Sequence, residues 1–215
     1  MENHLIVRKP IDIQNYQATL DKIEEMFNSD YINDELWVVQ HPITYTQGIG
    51  LPSNIEETSN GYPVINVNRR GGISHHAPGQ LACYVNVDMR RLKTGPNELN
   101  ELFEKITIDV LAQYGLKCEG SVNKDLAGGY IEDRKIMLIG LEWREMKTSF
   151  GFAINVSNDL SLFDSIDTCG MGKVMTSVEK ELGYDVDINE IADKVIESFV
   201  SHLNYTSHEI VPSLT

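Results

Sequence analysis

Strand-like runs in this sequence come in series, and that ordering argues against a doubly wound parallel sheet. Leu36-Trp37-Val38-Val39, Val64-Ile65-Asn66-Val67 and a run carrying Leu81, Tyr84, Val85 and Val87 follow one another with no helical pattern between them. Residues 127–131, 135–141 and 150–156 form a second series, the first two joined as a hairpin through Glu132-Asp133-Arg134. A parallel pair needs a crossover, usually a helix, so strands in direct succession favour antiparallel neighbours. Helical spacing appears in three places. Tyr16, Leu20, Ile23 and Phe27 follow Asp12, a candidate N-cap; residues 97–114 carry Leu99, Leu102, Phe103, Ile106, Val110 and Leu111 between Pro96 and Gly115; and Ile191, Val195, Phe199 and Leu203 follow Asp187 and Glu190, spaced as a capping box. With a short opening strand at Leu5-Ile6-Val7, the pattern predicts an α+β fold.

A length of 215 residues suits one domain spanning 1–215, with a core large enough to need no staples. The cysteines Cys83, Cys118 and Cys169 lie far apart and form no Cys-x-x-Cys, so neither a disulfide framework nor a zinc knuckle is expected. The first residues lack a signal-peptide pattern and no apolar run is long enough to span a bilayer, which places the chain in the cytoplasm and away from membranes. A formal net charge of −14 argues against a nucleic-acid partner, since phosphate binding depends on clustered Lys and Arg. Arg69-Arg70, Arg90-Arg91 and Lys93 concentrate positive charge locally, either as a solvated strand end or as an anion-facing patch.

Cys169 is the chemical candidate, because Asp167-Thr168-Cys169-Gly170-Met171-Gly172 is a polar, Gly-rich turn where a packing cysteine is out of place. A thiol attacks only as thiolate, and a nearby cation favours that form. Lys135, opening an apolar strand, is a candidate activator, although spacing alone also fits a surface strand end. Cys83 and Cys118 read as packing residues. His75 and His76 alternate faces if extended, which makes a poor chelating pair, and no third ligand stands at zinc spacing; no metal site is expected. The glycines from Gly71 to Gly79 let backbone groups approach a ligand, yet match neither a Walker loop nor a dinucleotide fingerprint. The stretch from Ile43 to Gly61 reads as one long binding loop.

Arg70-Gly71-Gly72, His76-Ala77-Pro78-Gly79-Gln80, Arg134-Lys135-Ile136, Gly151-Phe152-Ala153-Ile154-Asn155-Val156 and Cys169-Gly170 together resemble the octanoyltransferase family of lipoate biosynthesis, over about His41 to Met175. The resemblance implies the fold of biotin and lipoate protein ligases, a mixed central sheet flanked by helices. It puts the acyl-thioester nucleophile on Cys169 and the residue that lowers its pKa, and acts as general acid and base, on Lys135. It implies a substrate pocket lined by His41, Arg70, Gly71, Gly72, Ile73, Ser74, His75, His76, Leu138, Ile139, Gly140, Gly151, Phe152 and Ala153. The chain departs from the family in three places. Ser74-His75-His76-Ala77-Pro78-Gly79-Gln80 stands for Thr-Tyr-His-Gly-Pro-Gly-Gln, with one residue fewer after Gly72; Phe150 stands for a His; and Asp167-Thr168 stands for Asn-Pro.

The implied reaction is ping-pong transfer of an octanoyl group from octanoyl-acyl carrier protein to Cys169, then to a lysine of a lipoyl domain in a 2-oxoacid dehydrogenase complex or of the glycine cleavage H protein. Thioester to amide runs downhill, so no cofactor, whether ATP, metal or redox group, is expected. Arg90 and Arg91 are candidates for meeting an acidic carrier. Two alternatives remain: an ATP-dependent lipoate or octanoate protein ligase of the same fold, and a catalytically degraded acyl-protein binder.

Overall fold

The computed structural model describes residues 4–10, 12–29, 33–51, 54–123, 126–166 and 174–214. Its central sheet grows outward from two strands that are buried throughout. In β2 (Asp34–Val39) and β6 (Gln80–Asn86) every residue is buried, and successive side chains serve opposite faces. Leu36, Val38, Leu81, Cys83 and Val85 face one way, into the larger core; Trp37, Val39, Ala82 and Tyr84 face the other, into a second core. A sheet covered on both sides reads as a continuous apolar run, which is why Leu36–Val39 shows no alternation in the sequence.

Each face receives helices. On the larger core lie α3 (Pro96–Ala112) and α5 (Ile188–His202), through Leu99, Phe103, Ile106 and Val110 of the first and Ile191, Val195 and Phe199 of the second. On the other face α1 (Tyr16–Phe27) places Tyr16, Ile23 and Phe27 against Trp37 and Tyr84. The sheet continues through β1 (His4–Arg8), β7 (Glu119–Gly120), β8 (Gly128–Ile131), β9 (Arg134–Arg144), β10 (Lys147–Asn155) and β11 (Ser207–Val211), in the order β11-β1-β2-β6-β10-β9-β8-β7. β1 runs parallel to both β2 and β11; the β2–β6, β6–β10, β10–β9, β9–β8 and β8–β7 pairings are antiparallel. The sheet is therefore mixed and flanked by helices, as expected. A small second sheet, β4-β3-β5, is built from β3 (Thr44–Gln47), β4 (Val64–Asn66) and β5 (Ile73–His76).

Several expectations change. The helix cap is Asn15, whose Oδ1 accepts from the Ala18 amide at 3.0 Å, and not Asp12, which lies further up the chain. The region from Ile43 to Gly61 is not one loop, since it contains β3, which pairs with β5 in the register Tyr45–His75. Asp187 does cap α5, accepting from the Asn189 amide, but Glu190 accepts from the Tyr114 hydroxyl at 2.9 Å and so does not close a capping box. Two short helices, α2 (Met89–Leu92) and α4 (Val178–Leu182), and the edge strand β11 lie outside the sequence reading.

One strand breaks its own period. Phe150 pairs with Leu141, whose side chain lies in the larger core, yet Phe150 packs in the second core with its ring 6.1 Å from Tyr84. Its φ of 57° is the cause: a single left-handed residue turns the side chain to the opposite face before Phe152 and Ile154 resume the larger-core side. The turn joining β9 and β10 carries a similar cost. Glu145 and Met146 both adopt positive φ (50° and 69°), the backbone of a two-residue I′ turn that Asn-Gly fills more readily. Glu145→Asn with Met146→Gly is expected to stabilise the protein by about 1 kcal/mol, raising Tm by about 3 °C in calorimetry.

Candidate active site

A cleft of about 630 Å³ opens where β9 and β10 meet β6 and the 69–74 segment. Its scaffold starts from Arg69, which is buried and donates from Nη1 to the carbonyls of Arg70 (3.2 Å) and Gly72 (3.0 Å), and from Nη2 to the Thr46 carbonyl (3.0 Å) and hydroxyl (2.8 Å). All four acceptors are neutral oxygens. The guanidinium thereby ties β3 to the Gly71-Gly72 turn, and burial holds its pKa below the usual range. Glycines complete the join: a Cβ on Gly50 would stand 2.7 Å from the Gly71 carbonyl oxygen, and one on Gly140 would stand 2.7 Å from Cδ of Arg69. Arg69 is therefore neither a solvated strand end nor an anion-facing cation. Arg70, the next residue, is exposed at the cleft and lies over the Trp143 ring, 4.3 Å from its centroid.

Lys135 is not a surface residue. It is 4 % exposed, lines the cleft, donates to the Ala127 carbonyl at 3.2 Å and sits 5.4 Å from the centre of the Tyr130 ring. Gly128 makes room for it: φ is 152° there, and a Cβ would fall 2.6 Å from the lysine Cε. The backbone of Lys135 is gripped on both sides by residues 174–176. Its amide donates to the Val174 carbonyl at 2.9 Å and its carbonyl accepts from the Thr176 amide at 2.9 Å. Arg134 ties the same region to α4 through a two-pronged pair with Glu181 (2.9 and 3.0 Å), and Glu181 also accepts from the Thr176 hydroxyl. Cys169 and its neighbours from 167 to 173 lie outside the described residues.

Of the other sequence-derived candidates, Arg70, Gly71, Gly72, Ile73, Ser74, His76, Leu138, Ile139, Gly140, Gly151, Phe152 and Ala153 all line this cleft. His41 and His75 do not. His41 is buried behind the wall: Nδ1 donates to the Gln14 carbonyl at 2.8 Å, so Nε2 accepts from the Tyr84 hydroxyl at 2.7 Å, and Tyr84 is the residue that reaches the cleft. His75 follows the strand alternation and points away from His76. It is fully buried with neither ring nitrogen hydrogen-bonded, and its ring centre lies 3.9 Å from that of Phe163 in the 3-10 helix Leu160–Ser165. Phe150, which the resemblance puts at the border of the pocket, lines the cleft, and so do Tyr84 and Trp143, whose spacing does not distinguish them from core. Ala77 does not have positive φ, so the family's glycine at that position is not required for the backbone, whereas Gly79 has φ 86° and no room for a Cβ.

The site's electrostatics are set by burial. His41 and His75 are each held down to about 4, and His76 well below the ordinary value of 6.5, in every case first by desolvation; the charges of His41 and Arg69 add to the effect at His76. Cys83 and Cys118 are buried and their thiols are pushed up, Cys118 to about 11, which makes them packing residues. Arg90 and Arg91 are paired with Asp88 and Asp34 and do not form a free basic patch. Among the described residues no three His, Cys, Asp or Glu side chains gather as metal ligands, and no helix is long and apolar enough to cross a membrane.

A mixed central sheet flanked by helices, with this cleft beside it, defines a protein of the biotin and lipoate protein ligase fold. The structure superimposes on lipoate-protein ligase A bound with ATP with a TM-score of 0.75 at 18% identity, covering 100% of this chain and 91% of that one. Against biotin protein ligase from Aquifex aeolicus the TM-score is 0.53 at 15% identity, covering 95% and 70% of the two chains. The chain belongs to the lipoyl protein ligase A/B catalytic domain family, whose model matches residues 15–200. Its curated relatives include the octanoyltransferase of Chromobacterium violaceum, 38% identical over 82% of this chain and 84% of that protein.

Two outcomes test the site's construction. Arg69→Met strips donors from buried carbonyls and is expected to cost about 3 kcal/mol in urea unfolding, with Arg69→Lys intermediate because a point ammonium cannot replace the fork. Below pH 6.5 the unfolded chain binds protons that the buried histidines refuse. Stability therefore holds above pH 6.5 and falls as pH drops toward 4, by about 2 kcal/mol per histidine at pH 5. Tm measured from pH 7 to 5 checks this, and His75→Phe is expected to flatten the slope by one proton.

Proposed function

We propose that the protein transfers an octanoyl group from octanoyl-acyl carrier protein, through a thioester on Cys169, to a lysine of a lipoyl domain, within one catalytic domain. The observation that carries this reading is Lys135. A buried lysine lines the cleft, and the backbone segment that follows Cys169 in the chain pairs with it on both sides. A lysine so placed favours the Cys169 thiolate and is within the region where a leaving thiol would depart.

In the first half-reaction the Cys169 thiolate attacks the thioester carbonyl. The carbon–sulfur bond to the carrier breaks, and the Lys135 ammonium gives its proton to the departing thiolate, leaving an acyl-cysteine and a neutral amine. In the second half a neutral lysine amine of the acceptor attacks the new thioester. Lys135 takes the proton released as the amide forms, and the Cys169 thiolate leaves, so both residues return to their starting charge. Gly71 and Gly72 line the cleft and their amides have no hydrogen-bond acceptor among the described residues, which suits them to a developing oxyanion. Apolar lining from Leu138, Ile139, Phe150 and Phe152 suits a saturated chain. Phe150 in place of the family's histidine extends that apolar wall and alters chain fit. The acceptors are lipoyl domains of 2-oxoacid dehydrogenase complexes or the glycine cleavage H protein, and the setting is the cytoplasm.

Purified protein mixed with octanoyl-acyl carrier protein, without ATP, is expected to gain the mass of one octanoyl group in intact mass spectrometry. Cys169→Ser should abolish the gain, and Lys135→Ala should slow it by about 10²-fold or more. Absence of any adduct, with ATP-dependent labelling of a lipoyl domain instead, would identify a ligase.

A further inference from the structure

A line of buried amides joins His76 in the cleft to the segment beside Lys135. His76 Nδ1 meets the Gln80 Oε1 at 2.8 Å; Gln80 Nε2 donates to Asn155 Oδ1 at 2.9 Å; Asn155 Nδ2 donates to the Thr176 carbonyl at 3.1 Å. Asn158 Nδ2 adds a second donor to Asn155 Oδ1 at 3.2 Å. Gln80 is 1 % exposed, and Asn155 and Thr176 are fully buried.

The polarity of this line is determined at its far end. A backbone carbonyl can only accept, so the Asn155 nitrogen must face Thr176 and its oxygen must face Gln80. That oxygen requires the Gln80 nitrogen, which leaves the Gln80 oxygen toward His76. An amide oxygen also only accepts, so the proton of the neutral imidazole sits on Nδ1 and the lone pair on Nε2, the nitrogen left for the cleft. The same Thr176 whose carbonyl takes the Asn155 bond donates its amide to the Lys135 carbonyl. Both halves of the site, the cleft histidine and the segment clasping Lys135, are thus oriented by a single pair of amides.

We infer that Gln80 and Asn155 are positioning residues of the transfer site, fixing the His76 tautomer and the placement of residues 174–176 against Lys135 as one unit. Neither touches substrate. Each acts through a residue that does, and the inference rests on the reading of Cys169 and Lys135 given above. Loss of Asn155 leaves the buried Thr176 carbonyl without this donor, loss of Gln80 leaves the His76 Nδ1–H without its acceptor, and the strain is relieved by movement of the 174–176 segment or by a turned His76.

The test uses the full chain with Asn155→Asp, which keeps the shape and removes the donor to Thr176, and Gln80→Met, which keeps the volume and removes both polar contacts. The rate of Cys169 alkylation by iodoacetamide, assigned by peptide mapping, is followed from pH 5 to 10 beside octanoyl-transfer kinetics and thermal unfolding. Asn155→Asp is expected to raise the alkylation inflection by about one pH unit, as Lys135 loses its set position. Gln80→Met is expected to lower kcat by about tenfold with KM little changed. Folded variants with the wild-type inflection and wild-type kcat overturn the inference. Loss of kcat in proportion to loss of folded protein, with the inflection unmoved, also overturns it and makes the amides structural only. A wild-type enzyme that shows an ordinary thiol inflection and forms no acyl adduct would instead overturn the reading on which the inference rests.

Discussion

A guanidinium buried without a carboxylate is the constraint around which the cleft is assembled. Removing Arg69 from water is costly, and the cost is met by four neutral oxygens arranged to match its planar fork. Because those oxygens belong to Thr46, Arg70 and Gly72, the small sheet and the Gly71-Gly72 turn cannot move independently of each other. The carbonyls of the turn are consumed by Arg69 and by the amides of Gly48 and Gly50, while its own amides have no acceptor among the described residues. A charge placed under the loop thus decides which backbone groups the loop can offer a ligand.

The other wall is made by strands that depart from regularity in small, local ways. Gly140 and Gly151 stand opposite each other on β9 and β10, the first against Arg69 and the second against the Cys83 carbonyl, where a Cβ would come within 2.4 Å. Beside them Phe150 adopts a backbone that phenylalanine disfavours, at a cost on the order of 1–3 kcal/mol, and so delivers its ring to the second core and the cleft wall. A histidine tolerates that backbone better, so the family's residue there also suits the conformation. The strain in this chain is the price of a wider apolar surface at that point.

How much of this could be seen in the sequence depends on whether the signal was local. The spacing of Leu99, Phe103, Ile106 and Val110 gave α3 nearly to its ends, because every one of those residues is buried on one stripe. The continuous run in β2 was equally plain. Thr44–Gln47 was not, since a four-residue strand among Gly, Pro and Asn carries no period of its own and is held by Arg69 and β5. β11 is mostly exposed at the sheet edge and lacks an apolar face to betray it. Asp12 has the residue type of a cap but lies three residues before Asn15, the residue whose side chain accepts the Ala18 amide, and only packing decides that lead-in. In the site, the family motifs brought out about half of the cleft lining, but His75 and His76 could not be assigned to their two faces until β5 was paired. Arg69 read as a surface cation because burial by neutral oxygens leaves no complementary charge in the sequence.

Fold and chemistry separate in this family for a physical reason. The same fold carries a lipoate-protein ligase bound with ATP, and in the transfer proposed for this chain the acyl donor is a thioester that already stores the energy the amide bond needs. A thioester donor needs no activation; it needs a nucleophile and a group that gives up a proton and takes one back. Lys135 has a neutral carbonyl and a ring face among its partners and sits at the border of the core, whereas Arg69, some residues of chain away in the same cleft, keeps its proton throughout. In the proposed transfer the division of labour follows from the side chains themselves: the guanidinium, which cannot release its proton, builds the cradle, and the ammonium, which can, is the group assigned to the proton.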